Sequence, residues 1–465
     1  MNEATTTMKK ISRMLRPLLL KTFAVAAAFS LISAAQAATG PAEKTALKFG
    51  FIKLTDMADL AVAYENGYFD DEGLTVELEA QANWKVVLDR VISGELDGSH
   101  MLMAQPVAAN IGYGTQAELV IPFTMTQNTY AITVSNEIWK KMKKNIPVGA
   151  DGKLVHPISA STLKPVVAEM KDAGKSIQMG VVFPVSTHNM GLRYWLAAGG
   201  INPGLYAPHK GDTTGQIDAE VLLSVTPPPQ MPATMEAGTI QGYSVGEPWN
   251  QQAVFRGIGV PVIAVHNKMG DKVFGVKKEF IQKYPNTSVH VVKALIRAAK
   301  WLDENNNANR SAAAKMISAA HYVGADYKVI ANSMTGVFEY ERKDVRPTPD
   351  FNVFFRYNAS YPHTSDAVWY LTQMRRWGQI PEAKPDSWYM EMGKKTVAPE
   401  IYQQAAADLI AEGKMAASDF PDFKTFKGIR AVTETEWIDN VQFDATKPNE
   451  YLTKFKIGLK GDEKI

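Results

Sequence analysis

Predicted strands and helices alternate from residue 46 onwards, and this alternation restricts the chain to an α/β fold. The apolar stretch 46–54 (ALKFGFIKL) and the strictly alternating stretch 74–80 (LTVELEA) predict strands. The stretches 59–69 and 84–93 have the spacing of helices, and a short apolar strand is predicted at 101–103. Repetition of this kind is typical of a domain with a largely parallel sheet.

A second series of strands begins after residue 130. Helical stretches such as 190–198 separate its members, which are predicted at 131–134, 177–182, 221–225, 241–245, 260–265 and 272–276. A long amphipathic helix over 288–303 then begins a helix-rich C-terminal third, in which Pro347, Pro349 and Pro362 break the helical pattern.

Two α/β series in a chain of 465 residues predict two lobes, since a single core rarely spans that length. We assign 46–130 to the first lobe, 131–262 to the second, and 263–465 to a return to the first lobe with a helical C-terminal extension. Ligands of open α/β sheets bind at the carboxyl ends of the strands, so the cleft between the lobes is the expected site. Residues 137–176, rich in lysine with several prolines and glycines, are predicted to be a surface insertion in the second lobe.

Residues 1–37 have the pattern of a secretory signal peptide. Five basic residues precede a short apolar run, and Ala35-Gln36-Ala37 predicts cleavage after Ala37. The run is much shorter than the ~20 residues of a membrane span, so we expect a mature protein in the periplasm. Cysteine is absent, which excludes disulfides and thiolate zinc sites and also a lipid anchor at the cleavage site.

The charge and the motifs exclude several function classes. Removal of the signal peptide, with its five basic residues and one acid, changes the formal charge from +2 to −2, so nucleic acid is not an expected partner. The sequence has no G-x-S-x-G, H-E-x-x-H, P-loop or G-x-G-x-x-G motif, and no histidine pair at helical spacing. We therefore predict no enzyme activity, no cofactor and no metal.

Several segments together resemble one family. They are GFIKLTDMADLAVAYENGYFDDEGLTVELEAQANW at Gly50, ISGELDGSHMLMAQPVAA at Ile92, VVFPVSTHNMGLRYWLAAGGINP at Val181, PPPQMPATMEAGTIQGYSVGEPWN at Pro227 and DKVFGVKKEF at Asp271. In this order they resemble the solute-binding proteins of nitrate and bicarbonate ABC importers, over about 47–415. The resemblance implies a type II periplasmic binding protein, an α/β fold with two lobes and a central cleft. It also implies a receptor that delivers nitrate or nitrite to a membrane permease.

A buried oxyanion needs several hydrogen-bond donors and one positive charge or helix N-terminus. Trp84 follows a predicted strand at the cleft side, and its indole N–H can only donate. His188 precedes the helix at 190, near a helix N-terminus, with Thr187 and Asn189 as further donors. Gln127 and Asn128 lie where the chain passes between lobes, so either amide could reach the anion or hold the crossover backbone. The family resemblance also places ligand residues at the tryptophan and histidine motifs.

The remaining candidates depend on the resemblance. Near Lys272 the family has a lysine in nitrate receptors and a glutamate in bicarbonate receptors, where it helps to bind calcium; Lys268 is the alternative for this position. Gln230, beside Met231, follows three prolines, at a strand end where the family also contacts its ligand. Glu247 and Trp249 are expected to be structural.

Three functions remain open at this stage: a nitrate or nitrite receptor, a bicarbonate or sulfonate receptor of the same fold, and a nitrate sensor that acts on a protein partner. The signal peptide opposes the sensor, because such sensors are cytoplasmic.

Overall fold

The computed structural model describes residues 38–208, 211–264, 267–434 and 437–465. The predicted signal peptide lies outside the described residues. Residues from Pro41 to Ile465 form one compact unit. In the described part of the chain, no helix is both long enough and apolar enough to cross a membrane.

The first sheet has six strands in the order β13-β4-β10-β3-β1-β2. They are β1 (Ala46–Phe51), β2 (Thr75–Ala80), β3 (Gly98–Leu102), β4 (Leu119–Asn128), β10 (Gly270–Lys277) and β13 (Asn352–Val353). Strands β2 and β3 pair with β1 in parallel, whereas β10 is antiparallel to both β3 and β4, and β13 is antiparallel to β4. The expectation of a largely parallel sheet therefore holds for β1, β2 and β3, whereas β10 and β13, which come from later parts of the chain, introduce the antiparallel pairings.

The second sheet has five strands in the order β7-β6-β8-β5-β9. They are β5 (Tyr130–Ser135), β6 (Ile177–Val181), β7 (Val221–Val225), β8 (Gly242–Gly246) and β9 (Gly259–Ala264). Strand β6 is parallel to β7 and β8, and β5 is antiparallel to β8 and β9. A separate hairpin consists of β11 (Val337–Glu339) and β12 (Val345–Pro347). We call the parts built on the six-stranded and five-stranded sheets the first and second lobes.

Helices cover the sheets and fill the C-terminal third. In chain order they are α1 (Ala58–Glu65), α2 (Tyr68–Asp71), α3 (Trp84–Ser93), α4 (Ala104–Asn110), α5 (Asn136–Met142), α6 (Lys164–Asp172), α7 (Thr187–Ala198), α8 (Met231–Glu236), α9 (Trp249–Arg256), α10 (Lys278–Lys283), α11 (Pro285–Asn307), α12 (Arg310–Ile317), α13 (Tyr327–Met334), α14 (Thr364–Arg376), α15 (Asp386–Thr396), α16 (Pro399–Ala411) and α17 (Pro448–Thr453).

The chain passes between the lobes at the β4–β5 junction and again between β9 and β10. At the first crossing Asn128 and Thr129 both have positive φ, 68° and 67°, which turns the backbone sharply from one sheet into the other. The Asn128 side chain donates to the carbonyl of Asp350 at 2.8 Å and accepts from the backbone N–H of Lys268 at 3.0 Å. Asn128 thus holds the crossover backbone, one of the two roles considered for it.

The segment 137–176 differs from the predicted surface insertion. Its charged residues face solvent, but several apolar side chains are buried in the core of the second lobe: Ile138, Trp139, Met142, Ile158, Leu163, Val166 and Val167. The carbonyl of Ile158 also accepts a 2.8 Å hydrogen bond from the indole of Trp195. The segment is part of that core, because its helices α5 and α6 each have one apolar side.

Candidate ligand-binding site

A lysine between two carboxylates lies at the centre of the candidate site. The ammonium of Lys272, on β10, lies 2.9 Å from Oδ2 of Asp56 and 2.6 Å from Oδ2 of Asp271. All three side chains are 0 % exposed. The hydroxyl of Thr129 lies 2.7 Å from Oδ2 of Asp271 and 3.3 Å from Oδ2 of Asp56, so it bonds the same carboxylates from the crossover.

Electrostatic attraction among these side chains keeps Lys272 and Asp56 charged although they are buried. Burial opposes the charge on Lys272, but Asp271 and Asp56 outweigh it and raise the lysine pKa above its usual value. Burial also opposes the charge on Asp56, and Lys272 with His100 overcomes it and holds the pKa of Asp56 well below its usual range. One ammonium and two carboxylates give the group a formal charge of 1 − 2 = −1.

The first lobe adds Trp84 and His100 around the lysine. Asp56 lies in the turn after β1 and Trp84 is the first residue of α3, after β2, so both lie at the carboxyl ends of parallel strands. Nε2 of His100 is 3.0 Å from Asp56, and its ring meets that of Trp84 edge to face at 5.2 Å. The Lys272 ammonium is 5.8 Å from the centroid of the Trp84 ring.

The second lobe contributes His188, Tyr130 and Glu247. His188 lies in the first turn of α7, where the hydroxyl of Ser186 caps the helix by accepting from the backbone N–H of Asn189 at 3.0 Å. Tyr130 begins β5, and its ring lies 5.1 Å from that of His188. The glycine at 191 is required here, because a Cβ at that position would lie 2.2 Å from the tyrosine hydroxyl.

Several buried polar atoms of this group have no hydrogen-bond partner among the described residues. The potential donors are Nε1 of Trp84, Nε2 of His100, both ring nitrogens of His188 and the hydroxyl of Tyr130; the acceptors are Oδ1 of Asp56, Oδ1 of Asp271 and Oε1 of Glu247. Buried polar groups are nearly always paired in native proteins, because an unpaired one costs about 1–3 kcal/mol. Such a concentration of unpaired atoms is typical of a place where a polar ligand binds.

Two titratable groups next to Lys272 and its carboxylates have pKa values shifted towards the neutral form. Burial, with a further contribution from the charge of Lys272, lowers the pKa of His188 to about 3. Burial raises the pKa of Glu247 to about 8. The only charged groups we identify at the centre, among the residues described, are therefore Lys272 and its two carboxylates.

Hydrogen bonds join the lobes around this centre. The backbone N–H of Thr55 donates to the carbonyl of Glu247 at 2.8 Å, and the indole of Trp249 donates to the carbonyl of Lys53 at 3.1 Å. The hydroxyls of Thr187 and Tyr370 lie 2.6 Å apart, which joins α7 to α14. The lobes thus meet over the polar centre and exclude bulk water from it.

Trp84 also borders a cavity of about 1000 Å³. Residues of both lobes and of the C-terminal helices line it, among them Leu88, Phe183, Gln379 and Trp388. Trp84 therefore contacts both a wide, largely apolar space and the buried polar centre.

The structure brings three of the five candidates together and places two elsewhere. Trp84, His188 and Lys272 surround one centre. With its amide oxygen turned towards Arg430, Gln127 accepts hydrogen bonds of 2.7 and 3.0 Å from that guanidinium. Gln230 is exposed on the second lobe.

The choice between two lysines also becomes clear. Lys268 has an exposed side chain, whereas that of Lys272 is 0 % exposed and bridges two carboxylates.

Sequence reasoning missed Asp56, Asp271 and Tyr130. Asp271 is adjacent to Lys272 on β10. The pairing of β10 with β4 is irregular between Gly270 and Lys272, and this bulge allows the side chains of Asp271 and Lys272 to meet. An acid directly after an apolar strand, as at Asp56, is the one signal in the sequence that could have indicated this centre. Nothing in the local pattern of Tyr130 distinguishes it from a core tyrosine.

Two α/β lobes connected by two crossings and joined over a buried polar centre define a binding protein of the type II periplasmic class. Residues 40–318 match the model of the NMT1-like family, and this is more than half of the chain. The chain belongs to the NMT1-like family.

Relatives of known name agree with this assignment. The chain is 31% identical over 427 residues to the nitrate/nitrite binding protein NrtA of Nostoc sp. PCC 7120, covering 89% of this chain and 86% of that protein. It is 32% identical over 376 residues to the nitrate import ATP-binding protein NrtC of Synechocystis sp. PCC 6803, covering 79% of this chain but 51% of that protein. The crystal structure of the periplasmic nitrate-binding protein NrtA from Synechocystis PCC 6803 superposes with a TM-score of 0.76 at 26% identity, covering 90% of this chain and all of that one. The two-lobed fold expected from the sequence is thereby confirmed.

Proposed function

We propose that this protein is the solute-binding receptor of an ABC importer and that it captures nitrate, or the closely similar nitrite. The observation that carries the proposal is the group of buried, unpaired donors on Trp84, His188 and Tyr130 beside the ammonium of Lys272. The 31% identity to a nitrate/nitrite binding protein over most of the chain supports the same ligand.

The donor set suits a small planar anion. Nitrate only accepts hydrogen bonds, and the indole of Trp84 only donates them. His188 is neutral, so one of its ring nitrogens carries a hydrogen and can donate.

Two helix N-termini favour a negative charge at this place. Helix α3 begins with Trp84, and helix α7 begins one residue before His188. Each N-terminus carries the equivalent of roughly +0.5 elementary charge, and Trp84 and His188 lie in these first turns. The anion is thus stabilised by partial charges in addition to Lys272.

Lys272 distinguishes this centre from a calcium-dependent one. Its ammonium lies between the carboxylates of Asp56 and Asp271, whereas the family resemblance implies a glutamate near this position in the calcium-dependent bicarbonate receptors. A receptor with this arrangement should bind its anion without added calcium.

Export and delivery complete the proposal. The predicted signal peptide places the mature protein in the periplasm, where it would bind the anion and pass it to a membrane permease. N-terminal sequencing of the protein from a periplasmic fraction should begin at Ala38. An intact Met1 in the cytoplasmic fraction would contradict export and would revive the sensor hypothesis.

Isothermal titration calorimetry of the mature protein tests the ligand. We expect nitrate to bind in the micromolar range or tighter, about −8 kcal/mol, without calcium. Bicarbonate with calcium, and taurine, are the competing ligands. Binding of bicarbonate only in the presence of calcium, with no heat from nitrate, would overturn the proposal.

A matched pair of tryptophan variants tests the site. Trp84→Phe removes the unpaired indole donor and should weaken nitrate binding roughly ten- to a hundredfold, since hydrogen bonds to charged groups contribute about 1.5–3 kcal/mol. Trp195→Phe is the control, because its equally buried indole donates to the Ile158 carbonyl within the second lobe. Its nitrate affinity should stay within about twofold of wild type.

A further inference from the structure

The charge of the buried centre is unsuitable for a bare anion. Lys272 is the cation closest to the proposed ligand position, but its charge is already shared between Asp56 and Asp271, which leaves −1. The two helix N-termini offset about one charge together at most, so the empty centre is close to neutral. A bound nitrate would then leave a full uncompensated charge in a site whose walls are 0 % exposed, and such burial is very costly.

We propose that each nitrate ion binds together with one proton, and that Asp271 accepts this proton at Oδ1. The inference rests on the proposed function and adds the proton as a second ligand. The proton comes from solvent, and it leaves the charge of the centre unchanged when the anion enters.

The hydrogen bonds of Asp271 favour it as the acceptor. Its Oδ2 already binds Lys272 at 2.6 Å and Thr129 at 2.7 Å, whereas Oδ1 is buried without a partner among the described residues. A proton at Oδ1 therefore breaks no existing bond. It also changes an acceptor that would repel an anion into a donor that can bind one.

Other groups around this carboxylate are less suitable. Charged or titratable side chains interact with Asp271 from β3, β5, α7 and α14: His100, Tyr130, His188 and Tyr370. His188 would have to become charged in a buried position close to the ammonium of Lys272, and these two effects hold its pKa at about 3. Asp56 is less suitable, because Lys272 lies 2.9 Å from its Oδ2 and Nε2 of His100 lies 3.0 Å from its Oδ1, and these two groups hold the pKa of Asp56 well below its usual range.

Titration calorimetry in two buffers measures the number of protons that the protein takes up when nitrate binds. Nitrate is titrated into the wild-type protein at several pH values between 7 and 8, each in phosphate and in Tris, whose heats of ionisation differ. We expect the difference in heat to correspond to about one proton taken up per nitrate, and the Kd to rise about tenfold for each unit of increasing pH. Equal heats in both buffers and a Kd independent of pH would overturn the inference while leaving nitrate binding intact. Absence of any heat would instead contradict the proposed function.

Two asparagine variants locate the proton. Asp271→Asn imitates the protonated carboxyl, with an amide oxygen for Lys272 and Thr129 and an N–H in place of the added proton. We expect this variant to bind nitrate with no proton uptake and with a Kd that no longer depends on pH. Asp59→Asn is the control, because it changes another fully buried aspartate of the first lobe, whose carboxylate bonds the backbone N–H of Leu60 and not Lys272. It should retain an uptake of about one proton.

Persistent proton uptake in Asp271→Asn would overturn the assignment to Asp271. If that variant does not fold, the comparison of buffers with the wild-type protein still decides whether a proton accompanies the anion.

Discussion

The ammonium of Lys272 lies 2.9 Å from the carboxylate of Asp56, although the two residues are more than 200 positions apart in the chain. Lys272 comes from β10, which returns from the second lobe, and Asp56 lies in the turn after β1. This buried ion pair therefore joins the first and the returning part of one lobe. We propose that the same lysine both binds the anion and stabilises the fold.

The first prediction follows from this double role. Lys272→Met should lower the free energy of unfolding of the ligand-free protein by about 3–5 kcal/mol, because it leaves two buried carboxylates without their cation. The same change should also weaken nitrate binding. Urea unfolding without ligand measures the first effect, and calorimetry measures the second.

Lys268→Met is the control for this experiment. Lys268 was the alternative cation in the sequence, but its side chain is exposed. Its substitution should change neither stability nor affinity appreciably. An unchanged urea midpoint for Lys272→Met would show that the carboxylates do not depend on the lysine.

Much of the fold could be predicted because its elements are local. The helix predicted at 84–93 is found at Trp84–Ser93, and the strand predicted at 46–54 is found at Ala46–Phe51. Strand β4 was missed although it is ten residues long. Pro122 and several polar residues obscure its pattern, and its main partner β10 lies far along the chain, where no local pattern can indicate it.

The candidate site was predictable only in part, for a physical reason. Trp84 and His188 follow strand ends in the sequence, and strand ends meet at one edge of a sheet. The partners of a side chain depend instead on tertiary contacts. Gln127 was a candidate because it lies where the chain passes between the lobes, yet its amide turns to Arg430, which is more than 300 residues away.

Tyr130 provides the second prediction. Tyr130→Phe removes a buried hydroxyl that has no partner among the described residues, so the ligand-free protein should lose no stability. If this hydroxyl donates to nitrate, the affinity should fall about tenfold or more. Calorimetry and urea unfolding on the same preparation measure both quantities.

Tyr243→Phe is the matched control for Tyr130→Phe. Tyr243 is equally buried, but its hydroxyl donates to the carbonyl of Trp249 at 2.9 Å. Its loss should lower the free energy of unfolding by about 1 kcal/mol and leave nitrate affinity unchanged. Unchanged nitrate affinity for Tyr130→Phe would mean that Tyr130 is a core residue that does not bind the ligand.

The third prediction concerns Gln127 and Gln230, which the structure places away from the polar centre. Gln127→Met should lower the free energy of unfolding by about 1–3 kcal/mol, because Arg430 loses a buried acceptor. Nitrate affinity should stay close to wild type. Gln230→Met, at an exposed position, should change neither quantity. Weaker nitrate binding by either variant, with unchanged stability, would mean that this glutamine contacts the ligand.

The last prediction concerns pH and Glu72, a buried carboxylate of the first lobe. Glu72 is 7 % exposed and accepts from Lys293 at 2.6 Å, from Lys414 at 3.0 Å and from His290 at 2.8 Å. Burial raises the pKa of Glu72, but these three hydrogen bonds outweigh it and lower the pKa from 4.5 to about 2. Because the folded-state pKa is the lower one, Glu72 stabilises the fold fully above pH 4.5. This stabilisation is lost as the pH falls from 4.5 towards 2.

Glu72→Gln should therefore lower the free energy of unfolding at pH 7 by on the order of 3 kcal/mol, and the difference from wild type should shrink below pH 4.5. Urea unfolding at pH 7, 5 and 3.5 measures this change. Glu77→Gln is the control, because the Glu77 side chain is 64% exposed and makes a surface pair with Lys48, which contributes little. A destabilisation of Glu72→Gln that is equal at all three pH values would mean that packing, and not the charge of Glu72, stabilises this part of the lobe.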